Sequence, residues 1–391
     1  MAVSADRSDH APTGPLHGVR VVEIAGIGPG PFAAMMLADL GAEVLRVERT
    51  VPARADAGVV DGILRRNRAA VVVLDLKAQR GVEALLKIVE KADALIEGFR
   101  PGVTERLGLG PDVCLARNPR LVYGRITGWG QEGPLARSAG HDIDYIALSG
   151  VLHAIGRPGV PPVPPINLVA DFGGGGLLLA YGVVCALLEA SRSGRGQVVD
   201  AAMVDGCAAL MGLTMQLRHL GLWNDQRGTN MLDGGAHFYD AYETADGQYI
   251  AVGAIEPQFY AELLQRCGLD AEELPAQNDR SAWPAMKERF AALFRTRTRA
   301  EWCELLEGTD ACVSPVLSID EARRHPHNVH RGTFVEAFGV PQPAPAPRFS
   351  RTPGSLRSWA VRPSENGVAD LERWGLAGDE VAALRAEGVL T

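Results

Sequence analysis

Residues 18–48 run through VRVVEI, AGIGPGP, FAAMMLADLG and AEVLRVE, which read in order as strand, glycine turn, helix and strand. Continuous Val/Ile runs suit strands covered on both faces, and a strand–helix–strand unit of this length closes as a parallel crossover. Pro31 fits the first turn of the helix, and Gly41 stands where a helix end needs left-handed backbone. The unit is then repeated. AAVVVLDLK reads as a strand, GVEALLKIVEKA as an amphipathic helix, DALIEGF as a strand and LVYGRITGWG as another, so the N-terminal half is an α/β parallel sheet wrapped by helices.

Beyond it, residues 176–190 read as a helix, and GQVVDAAMVDGCAALMGLTMQLRHLGLW as a short strand feeding a long one. From about residue 226 the pattern changes to alternating strands with an Asp246-Gly247 turn, then helices rich in charge, which marks a second, smaller α+β domain over 226–330. The segment from Val340 is proline-rich extended chain, and ADLERWGLAGDEVAALRAEG reads as two short helices. At 391 residues there is room for such domains.

Composition narrows the function. A net charge of −8 argues against a non-specific nucleic-acid binder. The six cysteines lie far apart with no C-x-x-C pair, so neither a disulfide framework nor a zinc site is expected. Residues 1–17 hold no apolar run, are read as a disordered tail rather than a secretory signal, and point to a cytoplasmic location. The uncharged stretch from Phe172 to Leu188 opens with four glycines and carries Tyr181, which favours a buried helix over a membrane span.

Several motifs bear on chemistry. Gly28-Pro29-Gly30-Pro31-Phe32-Ala33 matches G-x-G-x-x-A after a strand, with Glu48 closing the next one, in outline a dinucleotide site. Two prolines in the loop remove N–H groups that a pyrophosphate would need, so a tight βα turn fits better. Arg49, Lys77, Arg100 and Arg106 fall near the ends of the early strands, where such sheets form their ligand crevice. Together they suit a phosphate-rich molecule; singly, each reads as solvated charge.

His141 beside Gly140, and Asp171 just before the glycine run 173–176 that opens a helix, have a catalytic layout. By residue type alone Asp171 reads equally as an N-cap and His141 as a satisfied core histidine. Glu256, ahead of Pro257, reads as a helix-start acid. The run from His325 to His330 reads as surface loop, and Met203, Met211 and Met215 as helix core. With no G-x-S-x-G, P-loop or H-E-x-x-H, serine-hydrolase, phosphoryl-transfer and zincin chemistry lose their usual support.

Taken together, VVEIAGIGPGPFAAMMLADLGAEVLRVER, VVVLDLK, FRPGVTERLGLGP, TGWGQEGP, AGHDIDYIALSGVLHAIGR, NLVADFGGGG, GRGQVVDAAMVDG, RGTNMLDGGAHFYDAY, VGAIEPQFY and TDACVSPVL resemble the class III CoA-transferase family. The G-H-D-x-D-Y form with A-I-E-P-Q-F-Y points to its racemase branch. The matches span about residues 18–350.

The resemblance implies a Rossmann-like large domain, residues 18–200 with 340–391, that binds CoA. It implies a linker helix at 201–225, the small domain at 226–330 and a return linker at 331–339. Two chains are then expected to interlock as a homodimer, with each site between the large domain of one and the small domain of the other. His141 and Asp171 match the catalytic acid/base positions and Glu256 the acid that supports the histidine. Arg49, Leu74, Asp75, Leu76, Lys77, Gly98, Phe99, Arg100, Arg106, Gly140, Asp142 and Tyr145 match positions that hold CoA. His237 stands where relatives are expected to carry proline, a departure that bears on the acyl pocket and so leaves substrate identity open.

The implied reaction interconverts (R)- and (S)-2-methylacyl-CoA thioesters by 1,1-proton transfer through an enolate. That chemistry needs a base on one face, an acid on the other and donors near the glycines for the enolate oxygen. No metal or separate cofactor is expected, CoA being part of the substrate, and no nucleic-acid or membrane partner. The alternatives are CoA transfer between carboxylic acids through an aspartyl anhydride, and a silent acyl-CoA-binding protein. The acyl chain is not legible.

Overall fold

The computed structural model describes residues 13–49, 62–359 and 367–391, and the chain divides into two compact units. The first is built on a six-stranded parallel sheet. Its strands are β1 (Arg20–Ile24), β2 (Glu43–Arg49), β3 (Ala70–Leu74), β4 (Ala94–Glu97), β5 (Val122–Thr127) and β6 (Gln197–Ala202). They lie in the order β3-β2-β1-β4-β5-β6, which is the doubly wound arrangement of a Rossmann-like fold. The sheet reverses direction of growth between β1 and β4.

Alternation along these strands builds two apolar layers. Val21 and Val44 face one side with Ala33, Ala34, Leu37 and Ala38 of helix α1 (Pro29–Asp39). Val22, Leu45 and Val47 face the other with Leu85, Ile88 and Val89 of helix α2 (Gln79–Val89). Gly41 takes a φ of 102° just past α1, as the sequence required, and a Cβ there would lie 2.7 Å from the Thr13 carbonyl oxygen. Helix α3 (Pro111–Arg117) follows β4, and α4 (Asp142–Leu148) follows β5.

The helix expected from Gly176 begins earlier. Residues Leu168–Leu177 form a π-helix that runs directly into α5 (Leu178–Ser193). The glycine run permits this: a Cβ on Gly174 would meet the Cys207 backbone nitrogen at 2.9 Å, and one on Gly206 would meet the Gly174 oxygen at 1.9 Å. The long helix expected after β6 is broken into α6 (Met203–Leu210) and α7 (Gly212–His219). Met203 is buried, but Met215 is 63% exposed, so the methionines are not one core stripe.

Buried charge holds this unit together. Glu23 accepts from Arg46 at 2.5 Å and Arg68 at 2.7 Å, while Asp39 takes Arg66 at 2.5 Å and Asn67 at 2.7 Å. Arg66 also donates to Gln342 and the Pro343 carbonyl, and so fastens a β-hairpin where only extended chain was expected. That hairpin pairs Phe334–Ala337 with Val340–Pro343. The C-terminus contributes helices over Gly367–Arg373 and Gly378–Ala386 and a bridge from Leu390 to Leu74. Of the expected tail at 1–17, residues 13–17 are described, and Leu16 is bonded to the Leu40 carbonyl.

The second unit comprises Gly150–Pro165 and Met211–Arg331. Its antiparallel sheet joins β7 (Tyr239–Glu243), β8 (Tyr249–Gly253) and β9 (Val313–Pro315), with the Asp246-Gly247 turn between β7 and β8. Helices α8 (Pro257–Cys267), α9 (Trp283–Phe294) and α10 (Arg299–Leu306) pack Tyr260, Phe290, Phe294 and Trp302 against it. The histidine run is not a loop: Pro326–Arg331 is helical. His237 is 1% exposed, lies edge-on to Phe238, Tyr260 and Phe290, and bonds the Tyr260 hydroxyl at 2.8 Å, so it is a core residue of this unit.

Candidate active site

Strand ends on either side of the β1/β4 reversal define the ligand crevice of a sheet of this order. Here they carry the loop 25–28 after β1 and Gly98-Phe99-Arg100 after β4. Arg49, at the end of β2, stacks its guanidinium on the Phe99 ring at 5.1 Å. Arg49, Lys77, Arg100 and Arg106 are all exposed, and none pairs with a carboxylate among the described residues. Arg46, Arg66 and Arg68 of this unit are buried against carboxylates, whereas these four cations keep their charge for a solute anion.

The turn after β3 is preformed. The Asp75 carboxylate accepts the Lys77 N–H at 3.0 Å, and the Asp75 N–H donates to the Val389 carbonyl. Leu74 and Leu76 are buried in the core, which leaves their backbone as the part able to meet a ligand.

His141 is the N-cap of α4, with φ −132° and ψ 176°. Asp144 caps the turn by accepting the His141 backbone N–H at 2.9 Å, and among the described residues the His141 ring forms no hydrogen bond. The imidazole is exposed, which rules out the core-histidine reading. One turn on, the Tyr145 hydroxyl donates to the Gly140 carbonyl at 2.5 Å. Its ring packs on Gly128 and Gly140, where any Cβ would collide with it, and edge-on against Trp129. The glycines of TGWG and AGHD are therefore room for this ring.

Asp171 lies inside the first turn of the π-helix rather than at its cap, so the capping role is also excluded. It is half-buried. Burial raises its proton affinity above the ordinary carboxylic range, as does the Asp142 charge, while the Asn167 hydrogen bond and the nearby His141 pull the other way. Loop 25–28 borders it: a Cβ on Gly28, whose φ is 65°, would sit 3.7 Å from Asp171 Oδ2. Phe32 of α1 and Phe172 are in ring contact at 4.9 Å.

Asp142 turns its side chain away from solvent, which leaves its backbone as the part able to meet a ligand. Its carboxylate is 5% exposed and turned inward, with Oδ2 accepting the N–H groups of Ala170 and Asp171 at 2.7 and 2.8 Å. Asn167 was missed altogether; its Nδ2 donates to Asp171 at 3.0 Å. The i, i+4 spacing of the pair on a helix was the available signal.

The first unit thus brings together His141, Asp142, Tyr145, Asn167 and Asp171. Glu256 stands on the second unit as the N-cap of α8, before Pro257, and its side chain makes no capping bond. No group of three or more His, Cys, Asp or Glu placed to hold a metal occurs among the described residues.

Chemically, an uncommitted imidazole near a carboxyl of raised proton affinity forms a pair of groups able to exchange one proton each. Comparison with known proteins points the same way. Residues 16–366 match the family model for CoA-transferase family III. The chain is 50% identical to α-methylacyl-CoA racemase of mouse, over 96% of this chain and 97% of that protein. It is 48% identical to the human α-methylacyl-CoA racemase with the same coverage. A crystal structure of a CaiB/BaiF family protein from Brucella suis superposes with a TM-score of 0.79 at 25% identity, covering 93% of this chain and all of that one.

Proposed function

The chain belongs to CoA-transferase family III, and on that premise we propose that it is a racemase of 2-methylacyl-CoA thioesters. The observation that carries this reading is the state of the two groups: the His141 ring is released from capping by Asp144, and Asp171 is half-buried with its proton affinity raised. Together they supply an imidazole free to accept a proton and a carboxyl whose hold on its own proton is strengthened, as proton removal and return on opposite faces of one carbon demand.

In the proposed mechanism neutral His141 takes the α-proton of the (S)-thioester. The C–H electron pair passes into the enolate, and Asp171 delivers its proton to the other face of the carbon. For the (R)-thioester the carboxylate is the base and the imidazolium the acid. Backbone N–H groups by the glycines near Asp171 are assigned to the thioester oxygen. Arg49, Lys77, Arg100 and Arg106 are assigned to the CoA phosphates, with Phe99, the 74–77 turn and the backbone of Gly98, Gly140, Asp142 and Tyr145 lining the CoA path. No other cofactor is invoked.

Glu256 is assigned to the second nitrogen of His141, where a carboxylate fixes the tautomer and favours the ring after it has gained a proton. As the family resemblance implies, it would come from the second chain of an interlocked pair. Support for a second copy comes from α5. Leu179, Val183, Ala186 and Ala190 of this helix are buried, while Leu177, Tyr181, Val184 and Leu188 form an exposed apolar stripe. Although Leu168–Ser193 is long and apolar enough to cross a membrane, we assign that stripe to the partner chain. A cytoplasmic location is part of the same proposal.

Incubation with an acyl-CoA and a free carboxylate acceptor tests the reading against its alternatives. Inversion of the α-centre with no new thioester supports racemase; a new acyl-CoA means transferase; binding without exchange of the α-hydrogen means neither.

A further inference from the structure

Resting on the racemase reading, we propose that Asn167 is a positioning residue. It ties Oδ2 of Asp171 in place and leaves Oδ1 as the oxygen that carries the transferred proton.

The bond itself is specific. A carboxylate only accepts, so the amide atom 3.0 Å from Oδ2 is the Nδ2 donor. Oδ2 is also the oxygen on the Gly28 side, where a methyl group would be in van der Waals contact with it. Among the described residues no hydrogen bond reaches Oδ1. When Oδ1 carries the proton, Oδ2 is still a carbonyl-type acceptor, so the Asn167 bond persists in both protonation states. The carboxyl group then need not rotate between taking a proton from the substrate carbon and returning one to it.

Backbone geometry reinforces the point. Ile166 has a φ of 53°, in the left-handed region that a β-branched residue avoids, and its side chain is 74% exposed. Nothing is buried in return for that conformation. Strain of this kind persists where surrounding structure dictates it, and here the next residue is the one that holds Asp171.

The charged surroundings of Asp171 are few. Residues 141–148 supply His141, Asp142, Asp144 and the Tyr145 phenol, α1 brings no titratable group in its first turn, and α6 brings Asp205 and Cys207. Besides burial, Asp142 raises the proton affinity of Asp171, while the Asn167 bond and His141 favour the ionised form.

The test uses the full chain with Asn167→Leu, close in shape but without the donor, and Asn167→Gln, which restores an amide. Exchange of the α-hydrogen with D2O is followed for each epimer across pH, together with KM. Loss of the donor raises the Asp171 pKa, so the acid limb for the (R)-thioester, where Asp171 must start ionised, moves up by about one pH unit. In N167L kcat falls by about tenfold with KM within about twofold, and N167Q recovers part of it. An unmoved profile, or a rise in KM with kcat intact, overturns the proposal. Failure of the underlying reading looks different: Asp171→Asn would then leave exchange of both epimers unaltered.

Discussion

One oxygen of the Asp142 carboxylate accepts the backbone N–H of Asp171 at 2.8 Å. Asp142 is the neighbour of His141, so a single buried carboxylate joins the loop carrying the proposed base to the helix carrying the proposed acid. The same charge raises the proton affinity of Asp171. Asp142→Asn keeps an acceptor and removes the charge, so the Asp171 pKa falls and the acid limb of (R)-epimer exchange moves to lower pH. Asp142→Ala leaves two backbone donors without their partner, at a cost of about 1–3 kcal/mol each in a denaturant titration.

A second prediction concerns Glu23, which is 1% exposed and held by both Arg46 and Arg68. The arginines outweigh burial and keep its carboxyl below the ordinary range. Glu23→Ala leaves two buried guanidinium groups facing each other with no counter-charge. A loss of about 3–5 kcal/mol is expected by chemical denaturation.

His237 gives the second unit an acid-sensitive core. Burial pushes its pKa down to about 4, and its Nδ1 has no partner. A histidine whose folded pKa lies below its unfolded value of about 6.5 contributes stability above that value, lost as pH falls toward 4. The unit is expected to lose about 2–3 kcal/mol across that window, and His237→Leu to flatten the dependence, as read by thermal melts at successive pH values.

Ile166 offers the opposite kind of change. Its side chain is mostly exposed and its φ of 53° suits glycine. Ile166→Gly is expected to hold or raise the melting temperature, with a gain of about 1 kcal/mol. A clear drop would mean that the isoleucine side chain is needed.

Much of this could be read from residues alone, because the parallel sheet is built from uninterrupted Val/Ile strands whose glycine turns have one conformational solution. His141 and Asp171 were legible as a pair only through the family resemblance; by type they suited a core histidine and a cap. What decides between those readings is not encoded in either residue: Asp144 does the capping, and Asn167 and Asp142 hold the acid. The π-helix was hidden because its signal, four glycines, marks equally a loop. The burial of His237 was not legible either, because nothing in its neighbourhood in the chain announces that Tyr260, 23 residues on, bonds its Nε2 inside an aromatic core.

The central claim is that two different side chains serve opposite faces of one carbon. Each pure epimer of a 2-methylacyl-CoA is incubated in D2O with the unaltered enzyme, with His141→Ala and with Asp171→Asn, and both deuterium uptake and inversion are measured. The account predicts that neither variant inverts the centre, that His141→Ala loses uptake from the (S)-epimer, and that Asp171→Asn loses it from the (R)-epimer. Uptake from both epimers at the unaltered rate in either variant would contradict it.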